Sequence, residues 1–172
     1  MRVVAGTARG RPLVAPAGKD TRPTTDRVRE AMFNALHSLG AIEDAAVLDR
    51  FAGSGALGIE ALSRGAASCV FVDDDPSAID AIRRNLEHTG VEGGEVLRRS
   101  TTPPGRFDLV LLDPPYDTTD DEWRTLLDGL DADLVVTESG RELDLGPRWS
   151  TIRSKRYGTT VVQIAQSTKG QA

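Results

Sequence analysis

Cysteine is almost missing from this sequence: Cys69 is the single thiol among 172 residues, so no disulfide can staple the fold. Its setting, Ser68-Cys69-Val70-Phe71-Val72, marks a small packed hydrophobe rather than a catalytic nucleophile. Histidine is nearly as scarce, and His37 and His88 fall in separate helical stretches. No metal-ligand cluster follows from that supply, and no metal is expected. Long apolar runs are lacking as well. None reaches membrane-spanning length and none at the amino terminus looks like a signal peptide, so the expectation is a cytoplasmic protein with no membrane partner. No internal repeat is visible. What remains is ordinary for a soluble domain, with 39% hydrophobic and 27% charged residues. The length suits one domain with a sizeable core and leaves no room for a second; a monomer is expected.

The net charge of −5 first argues against a nucleic-acid partner, but its distribution argues for one. Residues 1–29 hold seven cations (Arg2, Arg9, Arg11, Lys19, Arg22, Arg27, Arg29) against Asp20 and Asp26. Residues 151–172 hold Arg153, Lys155, Arg156 and Lys169 with no acid. Basic ends on an acidic body suit contact with phosphate.

Along the chain, Arg2–Gly6 and Gly10–Val14 read as two short strands of a basic hairpin ahead of the main domain. Thr24 or Thr25 caps a helix whose apolar face is Val28, Met32, Ala35, Leu36 and Leu39. Arg22, Arg27 and Arg29 are expected to cluster on its first turns. Strands at 46–51, 69–73, 94–99, 107–112 and 134–138 then alternate with helices at 56–64, 76–88 and 120–130. Ser100-Thr101-Thr102-Pro103-Pro104-Gly105 replaces the helix expected after the third strand. Two antiparallel strands, 149–156 and 159–165, close the pattern. The reading is a doubly wound, mostly parallel α/β sheet of seven strands, divided as a hairpin extension (1–21), a main domain (22–166) and a tail (167–172).

The rest of the chain is organised around Val47-Leu48-Asp49-Arg50-Phe51-Ala52-Gly53-Ser54-Gly55-Ala56-Leu57-Gly58. Strand, glycine-rich turn and helix in that order make a nucleotide-type pocket at a strand's carboxyl end. The candidate cofactor residues here are Asp49, Phe51, Ala52, Gly53, Ser54 and Gly55. The spacing Gly53, Gly55, Gly58 also satisfies the dinucleotide fingerprint, so the glycines alone do not name the ligand. Asp49 leans the choice. A carboxylate beside the helix start repels a pyrophosphate but attracts the ammonium and sulfonium of S-adenosylmethionine. Asp73, ending the second strand about twenty residues on, is placed for ribose hydroxyls, with Asp74 a near-equal candidate. Ser100 and Thr101, ending the third, are placed to border an adenine.

A second site lies in Asp113-Pro114-Pro115-Tyr116, which follows the fourth strand. The prolines stiffen the turn and offer carbonyls without N–H groups. The Asp113 carboxylate and the Pro114 carbonyl can each accept one hydrogen of a planar NH₂ group. Drawn out of line with ring delocalisation, the nitrogen becomes nucleophilic. Tyr116 can stack on the base that carries it, and Asp113 can take up the released proton. Asp113, Pro114, Pro115 and Tyr116 are therefore the candidate catalytic residues. They share a crevice with the glycine turn if the fourth strand lies beside the first.

Three stretches, Arg22-Pro23-Thr24-Thr25-Asp26-Arg27-Val28-Arg29-Glu30, Phe51 through Ala66, and Asp113-Pro114-Pro115-Tyr116, resemble the bacterial 16S ribosomal RNA guanine-N2 methyltransferases. The resemblance spans nearly the whole chain, including Arg9-Gly10-Arg11 and Trp149…Arg153-Ser154-Lys155. It implies a class I, Rossmann-like enzyme that methylates the 2-amino group of a guanine in 16S rRNA with S-adenosylmethionine, either on naked RNA or within an assembling small subunit. It places Arg9, Arg11, Arg22, Thr24 and Arg27 on the RNA side. The sequence departs from the family at Ser100, where an acidic residue is usual, at Asp73, where Glu is commoner, and in the shortened connection after the third strand. Adenine-N6 and protein-glutamine methyltransferases present an NH₂ group to the same turn. An NAD-binding oxidoreductase and a non-catalytic RNA-binding protein are the readings from other classes.

Overall fold

Residues 1–18 and 24–170 are described by a computed structural model. The elements follow as α1 (Asp26–Ser38), β1 (Ala46–Arg50), α2 (Ala56–Ser63), β2 (Ser68–Asp73), α3 (Pro76–Thr89), β3 (Gly94–Arg98), β4 (Phe107–Leu112), α4 (Asp120–Asp128), β5 (Ala132–Ser139), β6 (Trp149–Tyr157) and β7 (Thr160–Ser167). Seven strands form one sheet in the order β3-β2-β1-β4-β5-β7-β6. The first five in that order are parallel, and β7 runs antiparallel to both β5 and β6. No helix among the described residues is long and apolar enough to cross a membrane.

Local chemistry explains most boundaries. Of the two candidate caps for α1, Thr25 does the work: its side chain accepts from the Val28 N–H, which leaves Thr24 free for another role. Asp75 caps α3 ahead of Pro76, where a proline forfeits no hydrogen bond. Thr119 and Glu122 form a reciprocal capping box on α4.

Apolar side chains bury both faces of the sheet. On one face Val47, Leu109, Leu111 and Ile164 meet Met32, Phe33 and Leu36 of α1, Ile59 and Leu62 of α2, and Ile79 and Ile82 of α3. On the other, Leu48, Val110, Leu112 and Val135 meet Trp123 and Leu127 of α4 together with Leu143, Leu145 and Trp149. The connection from β3 to β4 holds no helix, as its prolines foretold, and β3 is left with no fully buried residue.

The amino-terminal segment, expected as a small basic hairpin ahead of the main domain, packs onto that domain. Its two expected strands reduce to one antiparallel bridge, Arg2 with Pro12, and Val3, Ala8 and Leu13 enter the main core. The Val4 and Ala5 N–H groups donate to the Glu60 carboxylate at 2.9 and 3.0 Å, and the Ala8 N–H donates to Ser63 Oγ at 2.9 Å. Arg29 also departs from expectation. Rather than joining a surface cluster, it is fully buried, donating to Asp26 Oδ1 at 2.8 Å and to the Arg2 carbonyl, with Nε 3.6 Å from Glu60 Oε2. Arg64 Nε donates to Glu60 Oε1 at 2.8 Å. Glu60, itself fully buried, thus joins α1, α2 and the amino terminus into one polar knot, because a buried carboxylate is tolerable only when fully paired.

Candidate active site

Strand order decides the site. β1 lies between β2 and β4, with Asp49 opposite Leu111 and Arg50 opposite Leu112. The connections run outward in opposite directions from this pair, which makes a crevice at its carboxyl end. The glycine turn after β1 and the Asp113-Pro114-Pro115-Tyr116 turn after β4 open side by side into a cavity of about 600 Å³.

The turn after β1 is built tightly. Phe51 adopts a left-handed φ of 64° although it is not glycine. The Phe51 and Ala52 N–H groups both donate to the Val72 carbonyl, at 3.0 and 3.1 Å, which ties the turn to β2. Gly53 (φ 56°) and Gly55 (φ 79°) complete the reversal into α2. Gly58 has a different task. A Cβ there would lie 2.3 Å from the Phe71 ring and 2.6 Å from Cys69 Sγ, so this glycine lets α2 settle on β2.

The cavity wall is acidic. Asp49, Asp73, Asp74 and Asp113 contribute to it, with no lysine or arginine among the described lining residues. Asp49 is buried, and its Oδ2 accepts from the Gly58 N–H at 2.9 Å. Burial pushes its carboxyl up to about 8; the Gly58 bond opposes this, and the Asp73 charge adds to it. Asp73 is held by two backbone groups, with Oδ2 accepting from Gly53 at 2.9 Å and Oδ1 from Asp75 at 3.0 Å. Each oxygen keeps capacity for a ligand hydroxyl. Asp113 is driven well above the usual carboxylate range, first by burial, then by the charges of Glu138 and Asp49, while the Thr24 hydroxyl pulls the other way. Ionised carboxylates desolvated in this way demand a cation. The lining therefore fits a ligand with ammonium and sulfonium charge and opposes a pyrophosphate.

Of the sequence-predicted cofactor residues, Asp49, Phe51, Ala52, Gly53, Ser54, Asp73 and Asp74 line the cavity, joined by Met1, Ala15 and Pro16 from the amino terminus. Gly55 shapes the turn without lining it, as the amino-terminal cap of α2. Ser100 and Thr101 are not brought in. The Ser100 carbonyl accepts from Arg50 and the Thr101 hydroxyl from Arg99, because β3 is an edge strand one place beyond β2.

Asp113, Pro114, Pro115 and Tyr116 all line the cavity. Tyr116 is 41% exposed and its hydroxyl shares a 2.7 Å hydrogen bond with Thr160 Oγ1, which rules out core packing. It also borders a second, open groove of about 630 Å³. Arg27, Lys155, Arg156 and Tyr157 line this groove, with Glu138 beneath. Lys155 Nζ lies 5.2 Å from the Tyr157 ring centroid.

The predicted RNA-side residues separate. Thr24 lines the cavity and Arg27 the groove. Arg9 is exposed on the amino-terminal segment, and Arg11 donates to the His88 carbonyl of α3 at 3.1 Å, on the β1–β2–β3 half away from the groove. Arg22 lies outside the described residues. Sequence reasoning missed Glu138 as a site residue, although it lies among the last residues of β5, level with Asp113 just past β4. It named Lys155 and Arg156 only within the basic carboxyl-terminal end; their place at this groove depends on how the β6–β7 turn folds back toward α1.

Comparison with known proteins agrees with this geometry. The chain is 39% identical over 185 residues to YlbH of Bacillus subtilis, covering 95% of this chain and 97% of that one. It is 35% identical to ribosomal RNA small subunit methyltransferase D of Escherichia coli, covering 96% and 89% respectively. The solved structure of yhhF from Escherichia coli superposes with a TM-score of 0.82 at 33% identity, covering 97% of each chain. The family model described as conserved hypothetical protein 95 matches residues 1–166, and the chain belongs to that family, with the class I fold of S-adenosylmethionine-dependent methyltransferases.

Proposed function

We propose that this protein is an rRNA methyltransferase that transfers a methyl group from S-adenosylmethionine to the exocyclic 2-amino group of a guanine in 16S rRNA. The observation that carries the reading is the meeting of the Asp49 and Asp113 turns in one acid-lined cavity. The Escherichia coli relative named for small-subunit rRNA methylation covers nearly the whole chain and supports the substrate class. The guanine amino group is supported by the motif resemblance and by the acceptor chemistry of the turn.

When bound, S-adenosylmethionine supplies a methyl carbon activated by its sulfonium. Asp49 receives its ammonium end, the Phe51–Gly55 turn lies against it, and Asp73 with Asp74 accepts from its ribose hydroxyls. Asp113 and the Pro114 carbonyl each hold one hydrogen of the acceptor amine, and Pro115 keeps the turn rigid. Tyr116 stacks on the base at the mouth of the cavity. Positioning of this kind can supply much of the rate of a transfer between two bound groups. Arg27, Lys155 and Arg156 meet phosphates flanking that base, and Arg9 and Arg11 serve at most as outlying contacts.

The test is mass spectrometry of 16S rRNA nucleosides from cells that lack the protein. Loss of one N2-methylguanosine, restored by adding back the purified enzyme and methyl donor, is the expected result. An unchanged nucleoside profile overturns the proposal. Calorimetry with S-adenosylhomocysteine and with NAD separates the oxidoreductase reading, which the four cavity carboxylates already disfavour.

A further inference from the structure

We infer that Glu138, linked to Asp113 through the Thr24 hydroxyl, is the positioning residue that draws the amine proton away from Asp113 and delivers it to the outer groove. This rests on the methyltransferase reading and goes beyond it, because that reading ends at Asp113. Glu138 is 4% exposed and is buried beside the site without a part in holding cofactor or base. Its place follows from register: Leu112 of β4 pairs with Thr137 of β5, so the next residues in parallel, Asp113 and Glu138, are neighbours at the two strand tips.

Thr24 stands between them. Its hydroxyl donates to Glu138 Oε2 at 2.6 Å, and Thr24 lines the same cavity wall as Asp113, whose carboxyl it influences. A hydroxyl has one proton to give but can accept as well. Given to Glu138, that proton leaves the Thr24 oxygen as an acceptor for a proton on Asp113. The chain Asp113–Thr24–Glu138 thus leads from the cavity, lined by Asp113 and Thr24, to the groove, lined by Glu138.

The chemistry needs such an exit. Transfer forms a nitrogen–carbon bond and breaks a carbon–sulfur bond, with its electron pair left on sulfur. The nitrogen must shed one proton, which passes to Asp113 and then by way of Thr24 to Glu138. From there it reaches water in the groove, and both carboxylates return to their starting state. The charges around the pair favour this direction. Asp113 faces Asp49 from β1 and Glu138 from β5, whereas Glu138 faces Arg29 from α1 and shares the groove with Arg27, Lys155 and Arg156. Burial raises both carboxyls, and two such neighbours titrate as a pair.

The deciding experiment measures methyl transfer to rRNA against pH for the wild type, Glu138→Gln, Thr24→Val and Thr24→Ser, with S-adenosylhomocysteine affinity checked in each. Glu138→Gln is expected to lower the kcat plateau by about tenfold or more and to move its acid limb to lower pH, since Asp113 loses a neighbouring charge. Cofactor affinity should stay within about twofold. Thr24→Val should lower the plateau similarly, and Thr24→Ser should restore it. An unchanged plateau, or a fall with the acid limb unmoved, overturns the inference and leaves Glu138 structural. Should Glu138→Gln not fold, the Thr24 pair decides, and equal rates for Val and Ser overturn it. If the wild type itself transfers no methyl to rRNA, the functional reading fails and takes this inference with it.

Discussion

The two hollows that meet at Tyr116 are built on opposite terms. The cavity between the β1 and β4 tips is walled by Asp49, Asp73, Asp74 and Asp113, and burial pushes Asp49 and Asp113 toward neutrality. The groove beyond Tyr116 is open and carries the exposed cations Arg27, Lys155 and Arg156, with Glu138 the one acid among the described lining residues. One side stores a demand for a small cation and the other offers attraction to a polyanion. The cations face water, which screens them from the acids, and Tyr116 borders both hollows. The lesson is that a sequence of net charge −5 can serve nucleic acid because charge is partitioned by depth as well as by position.

Breaking the acid side should have the largest effects. Asp113→Ala is expected to reduce methyl transfer by on the order of 100- to 1000-fold while S-adenosylhomocysteine still binds, as measured by single-turnover transfer and calorimetry. A comparable loss of cofactor binding would mean that the two tips do not divide the labour as described. Comparable in size is the effect on the knot beneath the cavity. Glu60→Ala leaves Arg29 and Arg64 without their shared partner and should cost about 3–5 kcal/mol of stability in urea melts. Lys155→Ala, fully on the groove side, should cost none.

The basic side gives smaller, salt-dependent effects. Lys155→Ala with Arg156→Ala should weaken rRNA binding and lower the slope of log affinity against log salt by about one per cation removed. Arg9→Ala should change it less, and the reverse ranking would move the docking surface to the amino-terminal segment. A graded effect concerns protons. Asp49 titrates near 8 in the folded protein against 3.8 ordinarily, so binding a cationic cofactor below pH 8 must release a proton. Affinity should rise from pH 6 to 8 by up to about tenfold per unit and level off above, and Asp49→Asn should flatten the curve. Linkage fixes the sign for stability as well. A carboxyl raised in the folded state stabilises it fully below pH 3.8, and that contribution is lost progressively as pH rises to about 8. Cofactor-free protein should therefore melt lower at pH 8 than at pH 5, with cofactor narrowing the gap.

Much of this was legible in the chain because the signals are local. The turn Phe51–Gly55, the cap at Asp75 and the stiff Asp113–Tyr116 segment each announce themselves within a few residues. So did the absence of a helix after β3, which two prolines enforce. What was not legible depends on partners far away in sequence. Arg29 reads as one of several surface cations near α1, and only the fold reveals Glu60, thirty-one residues on, waiting to bury it. The amino-terminal segment reads as a basic hairpin, yet Val3, Ala8 and Leu13 outweigh its charges once α2 offers Glu60 and Ser63. Ser100 and Thr101 obeyed the strand-tip rule, but they follow the edge strand β3 and bond to Arg50 and Arg99 rather than lining the cavity.

The sequence by itself determined the alternation of strands and helices, the two chemical turns and the identity of the carboxylates, since periodicity, glycine, proline and capping act over a few bonds. The tertiary structure alone decided that β4 lies against β1, that Glu138 stands level with Asp113 and bonds Thr24, and that Lys155 and Arg156 line the groove beyond Tyr116. Those are facts of strand order and register, which are set by how the whole core packs and which no short stretch encodes.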